Sequence, residues 1–164
     1  MKKRIWLLLL IVFASILLTG CALQTVDEMY ALPKRSKEYD SLQSAIDSAM
    51  YGLSYSAPVS GENQQTVQMA DLDGDGVEEY IVFAQGNSAN PLQVLIFRQE
   101  EDGTCRLMEV IQSNGSAFEQ VEYVQMDNAP GYELVVGRQL SDQVLRSVSV
   151  YSFSSGSAEQ LMMV

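Results

Sequence analysis

Asp71-Leu72-Asp73-Gly74-Asp75-Gly76-Val77-Glu78-Glu79-Tyr80-Ile81-Val82-Phe83 is the stretch that decides the fold. Its first part alternates carboxylates with small or apolar residues, and Glu79 adds a fourth carboxylate at the ninth position. A hard cation such as Ca²⁺ takes about six to eight oxygen ligands at short range, and this loop supplies most of them. Gly74 and Gly76 permit the tight turn and positive φ that wrap oxygens around one point. Four carboxylates in one loop repel each other unless a cation lies among them. The run Tyr80-Ile81-Val82-Phe83 is aromatic and β-branched, which predicts a strand directly after the loop. An EF-hand also begins Asp-x-Asp-x-Asp-Gly, but its twelfth position needs a bidentate Glu, and here that position is Val82. The helix that should follow an EF-hand loop is also missing from the pattern.

Outward from this loop, short alternating runs rich in Val, Ile, Leu, Tyr and Phe lie near 66–70, 79–84, 92–98, 105–111, 118–125, 133–138, 145–152 and 160–164. These are eight candidate strands separated by Gly, Asn, Asp and Ser. Glu101-Asp102-Gly103 and Ser154-Ser155-Gly156 read as hairpin turns. Shifting the chain by 54 residues overlays four strands on the other four without a gap. Gly61 then falls on Gly115, Val67 on Val121, Asp73 on Asp127, and Glu79 to Val82 on Glu133 to Val136. Val94 to Phe97 falls on Val148 to Tyr151, and Leu107-Met108 on Leu161-Met162. A fixed period near 50 with four strands per period is the pattern of blade-type repeats.

With a carboxylate loop set between two strands of such a period, the chain resembles the FG-GAP and VCBS-type repeats of integrin-like β-propellers and bacterial surface proteins. The resemblance implies a structural Ca²⁺ held by the side chains of Asp71, Asp73, Asp75 and Glu79, with Val77 donating its backbone carbonyl. The second copy keeps only Asp127 and Glu133; Gln125, Ala129 and Pro130 stand at the positions of Asp71, Asp75 and Gly76. Copy two is therefore expected to form its turn without metal, which marks the ion as a local brace. The expected fold class is all-β: two four-stranded antiparallel repeats, β-propeller-like blades of an incomplete array, preceded by a short amphipathic helix. Two blades do not close a propeller, whose rings have about four to eight; a small sandwich of the two sheets is the other packing open to them.

The helix is predicted over 37–51. Tyr39, Leu42, Ile46, Met50 and Leu53 recur at spacings of three and four, with Ser36 as N-cap and Gly52 as stop. Ahead of it, Lys2, Lys3 and Arg4 precede an uninterrupted apolar and small run, Ile5 to Leu18, of 14 residues. A membrane span needs about 20, so this is a signal segment. It ends Leu18-Thr19-Gly20-Cys21, which resembles the lipobox of bacterial lipoproteins. That resemblance implies cleavage before Cys21, acylation of its sulfur, and a stable lipid anchor on the outer face of the bacterial cytoplasmic membrane. The expected layout is a signal peptide at 1–20, a tether at 21–35, a helical lead at 36–60, repeat 1 with the calcium loop at 61–114, and repeat 2 with a degenerate loop at 115–164.

Charge and composition then exclude several activities. Beyond Lys37 there is no lysine, and Arg98, Arg106, Arg138 and Arg146 are the only cations against 19 carboxylates. Such a surface repels nucleic acid. The chain has no histidine, which removes Ser-His-Asp and Cys-His catalysis and histidine-ligated zinc. With Cys21 acylated, Cys105 has no disulfide partner and reads as a small core residue. Two function classes remain. The favoured one is a membrane-anchored binding or scaffold module with a protein or glycan ligand. The alternative is a secreted carbohydrate-active or other hydrolase using an acid pair such as Glu78 and Glu109. No group of residues fills the roles of a catalytic site, so no catalytic residue is assigned.

Overall fold

The computed structural model describes residues 36–140, 145–153 and 156–164. The expected signal segment, Cys21 and the tether lie outside these residues, as do Ser154 and Ser155 of the second hairpin turn.

Helix α1 (Lys37–Ala49) opens the described chain. The Ser36 hydroxyl accepts a hydrogen bond from the Tyr39 N–H at 3.2 Å, satisfying one of the free donors of the first turn. Glu38 and Asp40 sit in that turn, where negative charge suits the helix dipole. The helix stops two residues earlier than its apolar spacing predicts. Met50 is the C-cap and donates its N–H to the Ile46 carbonyl, and Gly52 turns the chain at φ 77°. Ile46 is the buried centre of the stripe, flanked by Leu42, Ala45, Ala49, Met50 and Leu53. They pack on Val82, Ala84, Leu95 and Phe97. Tyr39, the first member of the expected stripe, is half exposed.

Nine strands follow: β1 (Ser54–Tyr55), β2 (Val67–Ala70), β3 (Glu79–Gln85), β4 (Leu92–Gln99), β5 (Cys105–Ser113), β6 (Ala117–Val124), β7 (Glu133–Gln139), β8 (Arg146–Ser152) and β9 (Glu159–Met163). The eight strands expected from alternation are all present, in two antiparallel sheets, and the all-β class holds. Sheet 1 runs β2-β3-β4-β5, and sheet 2 runs β6-β7-β8-β9. The addition is β1. It pairs with β3 at Ser54↔Gln85 and Tyr55↔Ala84, on the edge that β2 uses further along. Two residues are too few to show a period, so this strand is invisible to pattern reading. The overlay also needs one correction. Phe97 pairs with Leu107, but its counterpart Tyr151 pairs with Gln160, not Leu161. The offset is thus 54 through β8 and 53 in β9, because the second hairpin is one residue tighter.

The two sheets pack face to face, and they do so with unlike faces. Sheet 1 contributes Ile81, Phe83, Val94 and Ile96 to the shared core. Sheet 2 contributes Val121, Leu134, Val136 and Tyr151. Carried back by the overlay, these four correspond to Val67, Tyr80, Val82 and Phe97, which face the helix instead. The order of layers is therefore helix, sheet 1, sheet 2, with the same kind of face turned toward the helix side each time. Phe83 meets Phe118 edge to face, with ring centroids 5.2 Å apart, and the Tyr123 hydroxyl donates to Gln68 Oε1 at 2.7 Å across the contact. Residues 59–63 run along β6: the Val59 and Ser60 N–H groups donate to the Phe118 and Glu119 carbonyls, and Asn63 Nδ2 to that of Val121. This covers the β6 edge and ties the lead segment to sheet 2. One polar inclusion lies on the inner face of sheet 2. The buried Arg138 guanidinium donates to Asn114, Ser147 and Ser149.

Candidate metal centre

The acidic loop joins β2 to β3 as a hairpin loop, closed by the Ala70↔Glu79 pair. Its backbone is folded by its own carboxylates. Asp71 Oδ1 accepts from the Gly74 N–H at 2.7 Å, and Oδ2 from the Gly76 N–H at 3.0 Å. Asp73 Oδ1 accepts from Asp75 N–H and Asp75 Oδ1 from Val77 N–H, two successive Asx turns. Gly74 and Gly76 take φ 79° and 87°, as the spacing predicts. Leu72 is 3 % exposed and pins the loop to the core between the sheets.

These turns bring oxygens of Asp71, Asp73 and Glu79 within 4.8 Å of one another. Glu79 is 2 % exposed; its Oε2 accepts from the Leu72 N–H at 2.9 Å. Burial raises its pKa above the ordinary carboxylate value, reinforced by the charges of Asp75 and Asp71 and opposed by the Leu72 hydrogen bond. Of the five residues expected to hold an ion, Asp71, Asp73 and Glu79 converge. Asp75 lies at the rim with its side chain 46 % exposed, and Val77 is also on the exposed side of the loop.

Arg98 on β4 was not among the expected site residues. Its Nε and Nη2 donate to Glu79 Oε1 at 3.1 and 2.9 Å. Nη2 also pairs with Asp73 and lies 3.9 Å from Asp75 Oδ2. A guanidinium thus sits against the carboxylates that the ion would join. A signal for it exists in the sequence: Arg98 is one of four basic residues beyond Lys37, and its overlay partner is Ser152, opposite a loop that has lost two carboxylates. The donor set fits a hard divalent cation. It is all oxygen, it is partly buried, and four carboxylates against one guanidinium leave an excess of negative charge.

The second unexpected feature is the sister loop. The Tyr132 N–H donates to the Asp71 carbonyl at 2.9 Å. A Cβ on Gly74 would lie 2.4 Å from the Pro130 backbone carbon, and one on Gly131 would lie 2.7 Å from the Leu72 carbonyl oxygen. The two loops pack directly on each other. They also share a brace: Glu133 Oε2 accepts from the Met126 N–H at 2.8 Å, as Glu79 does from Leu72, and Asp127 Oδ1 accepts from the Ala129 N–H. The degenerate loop therefore keeps two of the carboxylates that shape its backbone, and where Asp71 accepts in the first loop, Gln125 Nε2 donates to the Ala129 carbonyl.

A small, partly open pocket adjoins the cluster, lined in part by Glu79, Arg98, Glu109 and Phe153. The alternative acid pair is not assembled there. Glu109 lines the pocket, but Glu78 is exposed on the loop outside it. Cys105 is half-buried against the helix-side core, as expected of a small packing residue, and burial raises its pKa. Among the described residues, no helix is long and apolar enough to cross a membrane. Comparison with protein-family models, with curated proteins and with solved structures returns no match.

Proposed function

We propose that this chain is a membrane-anchored extracytoplasmic lipoprotein whose two FG-GAP/VCBS-like repeats form a calcium-braced binding or scaffold module. The observation that supports the metal reading is the convergence of Asp71, Asp73 and Glu79 oxygens within 4.8 Å, at the point where the two repeat loops pack together. Ca²⁺ placed there, with Asp75 and the Val77 carbonyl completing the set, offsets the charge of the loop and locks a turn that both sheets contact. The role is structural, because the ligands come from one loop and its closing strand. Affinity on the order of 10⁻⁴ to 10⁻³ M suits an extracellular module. The anchor rests on the order of basic residues, apolar run and Cys21. The acidic domain surface favours a protein or glycan ligand over nucleic acid.

Calorimetric titration with Ca²⁺ tests the metal reading. One site per chain is expected, lost in Asp71→Asn. Saturating millimolar Ca²⁺ without heat or with no change in the variant would contradict it. For the anchor, Cys21→Ser should move the protein from the membrane to the soluble fraction, and retention in the membrane would contradict lipidation.

A further inference from the structure

Asn114-Gly115-Ser116 links β5 to β6, where one repeat passes into the next. Asn114 is exposed to solvent, yet both of its carbonyl oxygens accept from one buried group. Arg138 Nη1 donates to the Asn114 main-chain oxygen and to its Oδ1, each at 3.1 Å. Arg138 is 3 % exposed, and its Nη2 is fixed by the Ser147 and Ser149 hydroxyls at 3.1 and 3.0 Å. Each of these acceptors is neutral. Among the described residues Arg138 forms no ion pair, whereas Arg98, Arg106 and Arg146 each do. Its Nε–H is buried without a hydrogen-bond partner among them. A buried charge is ordinarily held against an opposite one. Here the side chain placed to supply a carboxylate is present as its amide.

The residue after Asn114 is suited to convert it. A Cβ on Gly115 would lie 2.8 Å from the Gln139 carbonyl oxygen and 2.9 Å from Leu92 Cδ1, so the packing requires glycine. Without a side chain the Gly115 nitrogen is unhindered toward Asn114 Cγ, and among the described residues its N–H makes no hydrogen bond. We propose that Asn114 is a self-modification site, at which the folded chain exchanges the amide for a carboxylate that pairs with Arg138. The Gly115 nitrogen attacks Cγ, and the developing negative charge falls on Oδ1, the atom to which Arg138 Nη1 already donates. Collapse expels Nδ2 as ammonia, which takes the proton lost by the Gly115 nitrogen, and leaves a five-membered succinimide. Water then adds to one ring carbonyl and breaks its bond to the Gly115 nitrogen, which recovers a proton as the new acid forms. Water is consumed, ammonia is released and no electrons are exchanged. Nη1 contacts both oxygens that become ring carbonyls, so the new carboxylate lies beside the guanidinium whichever bond opens. The exchange turns neutral hydrogen bonds at the joint between the repeats into charge-assisted ones.

The test is peptide mapping by mass spectrometry on freshly purified chain, aged in warm neutral buffer beside the same chain unfolded in guanidinium chloride. In the folded sample Asn114 should gain the mass of an amide-to-acid exchange faster than in the unfolded one, with ammonia released in step. It should also outpace Asn63, Asn87 and Asn128 of the same molecules. Conversion no faster in the folded chain than in the unfolded one would overturn the proposal. Arg138→Gln should slow the folded chain about tenfold, less than the ~10²–10³ lost with a donor of an enclosed oxyanion hole, because water reaches Asn114. An unchanged rate in a folded Arg138→Gln chain would overturn the role of the guanidinium; if that variant does not fold, the comparison with unfolded wild type decides. Chain cleavage after Asn114 as the main product, from attack by its own Nδ2 on its main-chain carbonyl, would also overturn the proposal. Asn114→Asp carries the carboxylate from the start and should melt higher than fresh wild type. An equal or lower Tm would deny the ion pair with Arg138.

Discussion

Arg98→Met separates the two cations that the loop can recruit. In the structure the Arg98 guanidinium donates twice to Glu79 and pairs with Asp73. Its own side chain is 24 % exposed, so its desolvation is partial, but Glu79 is 2 % exposed and depends on its partners. Leaving one member of a buried pair alone costs about 3–5 kcal/mol. Glu79 keeps the Leu72 N–H, and burial, which raises its pKa, favours the neutral form and offsets part of that cost, so in chelator the loss should be roughly 1–3 kcal/mol. For a domain of this size that lowers Tm by roughly 3–15 °C. Methionine keeps the apolar stem against the adjoining pocket, so little packing is lost. With about 10 mM Ca²⁺, ~10–100 times the expected Kd, the ion takes over the charge of the guanidinium, and the deficit should shrink by up to about 1.4–2.7 kcal/mol. Thermal scans of both proteins in chelator and in Ca²⁺ read this directly. A deficit of the same size in both conditions would refute the reasoning, because it would mean that guanidinium and ion do not share a place.

Other consequences are sharper in sign than in size. Gly74→Ala adds a Cβ 2.4 Å from the Pro130 backbone at φ 79°, and strain plus overpacking should cost about 2–5 kcal/mol. Gly76→Ala, with open space around it, should cost only about 1–2 kcal/mol; equal losses in urea unfolding would mean that the loops do not touch. Tyr123→Phe strips Gln68 Oε1 of its donor between the sheets and should cost about 1–3 kcal/mol, read from the same unfolding curves; an unchanged midpoint would argue against that bond. Glu79 sets a pH dependence. Its folded pKa lies above the ordinary value of 4.5, so the folded state holds the proton more tightly. Its contribution to stability is present at low pH and is lost as pH rises through the raised value. Ca²⁺ needs the ionised form, so its affinity should fall as pH drops through the raised value, with a proton released on binding there; an affinity that stays constant from neutral pH to well below the ordinary carboxylate range would contradict this.

The parts legible in the sequence are those set by short-range patterns. Alternation located eight strands because each has one face against a core, and Ser36 marked the helix start because its hydroxyl has a nearby orphan N–H to accept from. Asp71, Asp73 and Glu79 were legible as a group because their spacing and two glycines dictate the loop. What escaped depends on contacts between distant residues. Arg98 reaches the loop from β4 only through the strand register. Pro130 and Gly131 meet Gly74 and Leu72 only because two repeats stack. The unlike-face packing could not be read from alternation, since alternation defines two faces without saying which meets which. Asp75 entered the expected ligand set through the alternation of carboxylates and Val77 through the resemblance, and both sit at the rim.

Stability with and without calcium, compared across two matched aspartates, bears most directly on the proposed brace. Asp73 and Asp127 make the same Asx turn in sister loops, through the N–H groups of Asp75 and Ala129, but only Asp73 belongs to the converging cluster. The wild-type Tm should rise on adding millimolar Ca²⁺ over chelator. Asp73→Ala should abolish that rise, and Asp127→Ala should lower Tm in both conditions while keeping it. A wild-type Tm indifferent to Ca²⁺, or a rise that depends equally on both aspartates, would contradict a calcium brace at this loop.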